Sequence, residues 1–247
     1  MSYFIFDGVL NLGKQYELKG EESSHITKSR RLRPGDSFIV QDLQGQRFEA
    51  ILKSFDHNSL LFTPKKPVAI PPASSLRIEI LQALPKQKAL DFILQKTTEL
   101  GVSRLDVFCG LHSPKTFSVS EKQHQLKRWQ RIVTEASKQC GRQFAPEIHF
   151  HPDISAALET LPECPNSWIL VPDTADAVSW EKISSSGEDI IKNHRVLIGP
   201  EGGFHQDEIK LSLRSGIRPV YLGPRILRSE TAAISAVSIL QFLWGDL

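Results

Sequence analysis

Cysteine is scarce. The 247 residues hold three, Cys109, Cys140 and Cys164, with no paired CxxC spacing, so neither a disulfide framework nor a cysteine zinc site is supported. The eight histidines are dispersed and no HExxH or similar spacing occurs, so no metal is expected. Long apolar runs are missing as well: the longest stretch free of Asp, Glu, Lys and Arg, Thr231 to Gly245, is 15 residues, short of the roughly 20 that a spanning helix needs. The opening MSYFIFDGVL has no basic n-region and meets Asp7, so it does not read as a secretory signal, and a cytoplasmic location is expected. There is no internal repeat and no low-complexity tract. With 40% hydrophobic and 23% charged residues, the composition is that of an ordinary folded protein of one large domain or two modest ones.

The net charge of +2 is too small to define a nucleic-acid binder, but it hides an asymmetry. Residues 1–73 carry 10 basic and 8 acidic side chains, residues 74–150 carry 12 and 7, and residues 151–247 carry 8 and 13. The basic excess gathers in Lys28, Arg30, Arg31 and Arg33 and in the stretch that includes Lys122, Lys127, Arg128, Arg131, Lys138 and Arg142. Clustered cations suit a phosphate backbone by releasing its counterions, although they also suit a plain solvated face.

Four prolines between Thr63 and Pro72 read as a linker, since proline cannot continue a helix or a central strand. Before it, Tyr3 to Phe6, Phe38 to Val40 and Phe48 to Leu52 are short apolar runs separated by turn residues, which predicts a small, mostly β domain over residues 1–70. After it, Leu76 to Leu81 alternates with period two. Leu90, Ile93, Leu94, Thr97 and Leu100 then recur at helical spacing, as do Leu126, Trp129, Ile132, Val133, Ala136 and Cys140. Apolar runs at Trp168–Val171, Arg195–Ile198 and Pro219–Leu222 suggest buried parallel strands, so residues 74–247 read as an α/β domain.

Two motifs carry chemistry. Ile198-Gly199-Pro200-Glu201-Gly202-Gly203-Phe204 follows a predicted strand and precedes a helical segment. Its glycines let a ligand approach backbone amides at a strand's carboxyl end, where open α/β sheets bind ligands, and they equally suit a plain tight strand-to-helix turn. It is neither a Walker loop nor GxGxxG, which weighs against a nucleotide-binding enzyme that uses it for phosphate. The second motif, Leu222-Gly223-Pro224-Arg225-Ile226-Leu227-Arg228-Ser229-Glu230-Thr231-Ala232-Ala233, opens the last helix. Ser229 is expected as its N-cap. Arg225 and Arg228 stand against the helix dipole, which suggests an anionic or planar partner, plain solvent exposure being the alternative.

Together these motifs resemble the 16S rRNA (uracil-N3)-methyltransferase family of the SPOUT superfamily. Leu84-Pro85-Lys86 with Ile93 to Val102, Arg128-Trp129 with Glu135 to Arg142, and Ser24-His25 with Arg31 to Asp36 are similar to further stretches of that family. Family members often have an arginine in the stretch held here by Ser113 to Thr116, and apolar residues at Ser29 and Arg30. His205 stands where a Ser or Thr cap is commoner.

The resemblance implies a PUA-like β-barrel followed by a trefoil-knotted SPOUT domain that works as a homodimer and methylates N3 of a uridine in the small ribosomal subunit. S-adenosylmethionine is then expected among Val171 and Pro172, Ile198 to Gly203, and Leu222, Gly223, Pro224, Ile226, Leu227 and Arg228 with Thr231 and Ala232. Arg228 is expected to orient the uracil and stabilise its anion, with Arg225 as the alternative. Glu201 and Glu230 are the carboxylates that could accept the N3 proton, water being the other acceptor. Phe204 or His25 could support the splayed base. RNA docking falls to His25, Lys28, Arg30, Arg31, Arg33, Arg128, Arg131 and Arg142. The rival from another class is a noncatalytic RNA-binding protein of ribosome assembly, against which the intact glycine loop and arginine motif count.

Overall fold

The computed structural model describes residues 3–20, 23, 26, 32–56, 58–114, 117–172, 177–180, 183 and 192–247. The chain divides into two compact units, one formed by Met1–Pro72 with Ser137–Phe144, the other by Ala73–Ala136 with Ala145–Leu247.

The first unit holds a five-stranded sheet. Its strands are β1 (Phe4–Ile5), β2 (Tyr16–Lys19), β3 (Ser37–Gln41), β4 (Arg47–Phe55) and β5 (Ser59–Val68), in the order β1-β3-β4-β5-β2. The β1–β3 pair is parallel and the others antiparallel. Inward residues of each strand, among them Phe38, Val40, Phe48, Ala50, Leu52, Leu60 and Phe62, form a closed apolar core. The expected linker is shorter than its prolines suggest, because Pro64 and Pro67 lie inside β5. The reason is local. β2 pairs with β5 only over Ser59–Phe62, so beyond Phe62 one side of β5 is an edge that needs no N–H donor, and the β4 register skips at Lys65. The return of Ser137–Phe144 to this unit interrupts the stretch that the sequence reads as one domain over 74–247. Side chains of the sheet hold it: the Tyr3 hydroxyl donates to the Arg142 carbonyl at 2.6 Å, and Gln41 Nε2 to the Gln143 carbonyl at 2.7 Å.

The second unit is a seven-stranded, wholly parallel sheet. Its strands are β6 (Arg77–Ala83), β7 (Arg104–Phe108), β8 (Glu147–His151), β9 (Asn166–Leu170), β10 (Val178–Ser179), β11 (Asn193–Ile198) and β12 (Arg218–Tyr221). They lie in the order β10-β12-β9-β11-β6-β7-β8. The described helices are α1 (Gln87–Glu99), α2 (Val119–Cys140), α3 (Ile154–Thr160), α4 (Gln206–Arg214) and α5 (Ser229–Trp244). Alternation along the strands sends Ile78, Ile80, Val196 and Ile198 to one face, into a core with Leu90, Ile93, Leu94, Trp129, Val237 and Leu240 of α1, α2 and α5. Leu81, Ala83, Ile169 and Leu197 go to the other face, against Ile154 and Ala157 of α3 and Ile209 and Leu211 of α4. Sequence reasoning missed β7, β8, β10 and α3. β7 alternates Arg104 and Asp106 with Leu105 and Val107, and its charges are buried by ion pairing, which no apolar run reveals.

Candidate functional site

Three loops that leave the strand ends meet at one end of the parallel sheet and enclose a cleft of about 330 Å³. Its walls are Leu170 to Pro172 after β9, Ile198 to Phe204 after β11, and Leu222, Gly223 and Arg225 to Leu227 after β12, with Gln206, Ile209, Ser229 and Ala232 closing it. Ligand binding at the carboxyl ends of neighbouring strands is the rule for open α/β sheets.

Buried hydrogen bonds fix the loop after β11. Gln82, a polar residue at a core-facing position of β6 and 1% exposed, donates its amide to the carbonyls of Ile198 and Gly199 at 3.3 Å and to Ser229 Oγ at 3.0 Å. Ser229 Oγ donates to the Gly199 carbonyl at 2.6 Å. Ser229 is thus the first residue of α5 rather than its cap. Arg228 holds the N-cap place without a side-chain bond, and its carbonyl accepts the Ala232 N–H at 2.8 Å. The hydroxyl expected to close the helix end instead ties α5 to the glycine loop. A Cβ on Gly199 would lie 3.3 Å from main-chain atoms of Gly203 and Phe204, and Gly203 has φ +70°, so the loop closes only around glycine.

The rim is capped in series. His205 begins α4, its Nδ1 accepting the Asp207 N–H at 3.2 Å, while Glu208 accepts the His205 N–H at 2.8 Å and the Leu111 N–H at 3.0 Å. Glu201 reaches across to α1, where both carboxylate oxygens accept the Lys86 N–H at 3.0 and 3.3 Å.

Of the residues expected at a cofactor, Val171, Pro172, Ile198, Gly199, Pro200, Glu201, Gly202, Gly203, Leu222, Gly223, Ile226, Leu227 and Ala232 line the cleft. Pro224, Arg228 and Thr231 are exposed and do not. Arg225, named as the alternative to Arg228, does line it, as does Phe204. Sequence reasoning missed Leu170, Gln206 and Ile209, along with the part played by Gln82. The one carboxamide of β6, set between Leu81 and Ala83, was the available signal. Glu230 sits in the first turn of α5 and does not line the cleft. Neither Glu201 nor Glu230 pairs with Arg228.

Among the expected RNA contacts, His25, Lys28, Arg30 and Arg31 lie outside the described residues. Arg33 is exposed in the first unit, in a turn where Asp36 accepts its N–H at 2.7 Å. In the second unit Arg128 forks onto Asp91 of α1, which neutralises it, and Arg131 is exposed on the same helix. Arg142 belongs to the first unit, where its carbonyl holds Tyr3. No group of three or more His, Cys, Asp or Glu side chains able to hold a metal occurs among the described residues, and no described helix is long and apolar enough to cross a membrane.

A parallel sheet whose strand ends gather a glycine-rich cleft, preceded by a small curled sheet, defines a SPOUT-type methyltransferase with a PUA domain. Comparison with known proteins agrees. A family model described as an RNA methyltransferase domain matches residues 72–241, and one described as an RNA methyltransferase PUA domain matches residues 18–65. Ribosomal RNA small subunit methyltransferase E of Buchnera aphidicola (Schizaphis graminum) is 30% identical over 253 residues, covering 100% of this chain and 96% of that protein. Its namesake in Bacillus subtilis is 26% identical over 242 residues, covering 92% and 90%. A methyltransferase of Legionella pneumophila solved with bound SAM superposes with a TM-score of 0.90 at 27% identity, covering 99% of this chain and 98% of that one. The Neisseria gonorrhoeae ribosomal RNA small subunit methyltransferase E solved with S-adenosyl methionine gives 0.86 at 26%, covering 100% and 99%. The chain belongs to the ribosomal RNA small subunit methyltransferase E family.

Proposed function

We propose that this protein transfers the methyl group of S-adenosylmethionine to N3 of a uridine in the 16S rRNA of the small ribosomal subunit. The observation that carries the reading is the convergence of the three expected loops on one glycine-closed cleft, in a family whose solved relatives hold that cofactor. The residues fit it. Main-chain groups of Gly199 to Gly203 offer hydrogen bonds, Leu170, Leu222 and Ile209 offer apolar walls for a heterocycle, and Arg225 is the one cation of the cleft among the described residues, leaving room for a sulfonium away from like charge.

When bound, S-adenosylmethionine supplies an electrophilic methyl group. The protein's own task is to make the uracil nucleophilic, because the N3 lone pair is free only after the N3 proton has left. Glu201 is the carboxylate at the cleft that takes this proton, and two oxygens give it lone pairs enough to hold the Lys86 N–H as well. Glu230, outside the cleft wall, is left the role of an acid at the positive end of α5. The negative charge that develops spreads onto the uracil carbonyl oxygens, where Arg228, and Arg225 from the cleft wall, stabilise it.

The first unit docks the RNA, with Arg33 and the neighbouring basic segment on its phosphates. Arg131 serves from the second unit. The protein works as a homodimer in the cytoplasm: α5 carries no charge from Thr231 to its end yet leaves Phe242 75% exposed, a face suited to a second copy. Three free thiols suit a reducing compartment. Calorimetric titration with S-adenosylmethionine tests the cofactor assignment. One molecule should bind per chain, and Gly203→Val should weaken binding at least tenfold. No binding by the unaltered protein would leave the noncatalytic RNA binder as the better account.

A further inference from the structure

Gln82 does not line the cleft, yet two parts of the cleft wall hang on its side chain. It is the register partner of Ile198, where β11 ends and the glycine loop begins. Its two amide hydrogens are shared among four acceptors: the Ala83 carbonyl at 2.8 Å, Ser229 Oγ at 3.0 Å, and the Ile198 and Gly199 carbonyls at 3.3 Å. Because Ser229 Oγ gives its own hydrogen to the Gly199 carbonyl at 2.6 Å, that carbonyl is held both directly and through Ser229. The other end of the amide is unsatisfied. Gln82 Oε1 is buried and has no hydrogen-bond partner among the described residues. A buried acceptor without a partner destabilises a fold, and Leu or Met would fill much the same space without that penalty. A residue that breaks a local rule in this way is expected where function needs it.

We propose that Gln82 is a positioning residue for S-adenosylmethionine, fixing the main chain of the glycine loop in the orientation that the cofactor meets. The inference rests on the function proposed above and names a residue that acts from behind the cofactor site. There is no cis peptide bond among the described residues, and a trans peptide sends its C=O and N–H in opposite directions. Drawing the Ile198 carbonyl toward Gln82 therefore turns the Gly199 N–H away from it, out of the core, on a residue that lines the cleft. Pro200 has no N–H, so Gly199 carries the first donor the loop can offer. By holding Ser229, the same amide also sets the first turn of α5, from which Ala232 lines the cleft. An apolar side chain at position 82 would release both carbonyls, and the cofactor would then have to order the loop as it binds.

The test uses the full chain and calorimetric titration with S-adenosylmethionine. Gln82→Met keeps the volume and removes both donors. Its Kd for S-adenosylmethionine should rise about tenfold or more, as the loss of an oriented hydrogen bond predicts, and the cofactor KM should rise with it while kcat at saturating cofactor stays within about threefold of the parent. Gln82→Glu tests orientation directly. Its carboxyl group donates only when protonated, and burial favours the protonated form, so the affinity of this variant should recover toward the parent's between about pH 8 and pH 5.5. Should Gln82→Met not fold, that pH comparison decides alone. A Gln82→Met protein that binds S-adenosylmethionine as the parent does, or a Gln82→Glu protein whose affinity runs parallel to the parent's across that pH range, would make Gln82 a packing residue and overturn the proposal. An unaltered protein that binds no S-adenosylmethionine would instead overturn the functional reading on which the proposal rests.

Discussion

Arg225 and Arg228 separate two demands on the same helix end. Arg225 lines the cleft, whereas Arg228 caps α5 with its main chain, and its guanidinium makes no ion pair among the described residues. Arg228→Ala should therefore lower kcat by 10²-fold or more with little change in cofactor affinity, as expected of a group that acts on developing charge. Equal losses in both quantities would mark it as structural. Glu201→Gln keeps an acceptor for the Lys86 N–H but cannot take a proton, so it should fold normally and lose turnover. A turnover equal to the parent would pass the proton to water. Ser229→Ala breaks the bond to the Gly199 carbonyl and strips Gln82 of a partner, which should cost about 1–3 kcal/mol in urea unfolding. The motif residues were legible because glycine and arginine are informative by type. Gln82 was not, since its importance lies in which carbonyls the fold brings within reach of one amide.

The elements follow the same division. Helices with an apolar stripe and strands with an apolar run stood out in the sequence, and β6, β9, β11, β12, α1, α2, α4 and α5 fall where those patterns do. β7 and β8 did not stand out because ion pairs replace apolar burial there: Asp106, 1% exposed, bonds His151 Nε2 at 2.7 Å and forks onto Arg104. Burial opposes the charge on Asp106, but the His151 and Arg104 bonds outweigh it and hold the carboxyl below its usual range. A depressed carboxyl pKa stabilises the fold above its unfolded value of about 3.9, and that contribution fades as the pH falls through the lower folded value. Urea midpoints should drop steeply below about pH 4 for the parent. Asp106→Asn should be less stable at pH 7 by about 2 kcal/mol and lose less on acidification. Identical acid limbs would dismiss the pairing as a stabilising one. α5 yields a further expectation. Light scattering should return twice the 27.8 kDa of the chain, and Phe242→Glu should shift it toward the monomer. A monomeric parent would contradict the dimer.

At the scale of the whole molecule, the charge asymmetry and the two-unit plan were visible before any coordinates, while the return of Ser137–Phe144 to the first unit was not. It depends on Tyr3 and Gln41 meeting residues 139 and 102 positions away, a distance no local pattern spans. A knot is likewise nothing that periodicity could reveal, and it is expected from the family resemblance alone. If the basic segment docks phosphates, the paired change Arg31→Glu and Arg33→Glu should weaken RNA binding and reduce its salt slope by about one per lost contact. An unchanged slope would make it a solvated surface. The central claim is settled by the product. Small subunits lacking the modification, incubated with the protein and methyl-labelled S-adenosylmethionine and then digested to nucleosides, should yield label in N3-methyluridine and in no other nucleoside. Label in a different nucleoside would keep the fold and cofactor and overturn the substrate, and no label at all would contradict methyl transfer itself.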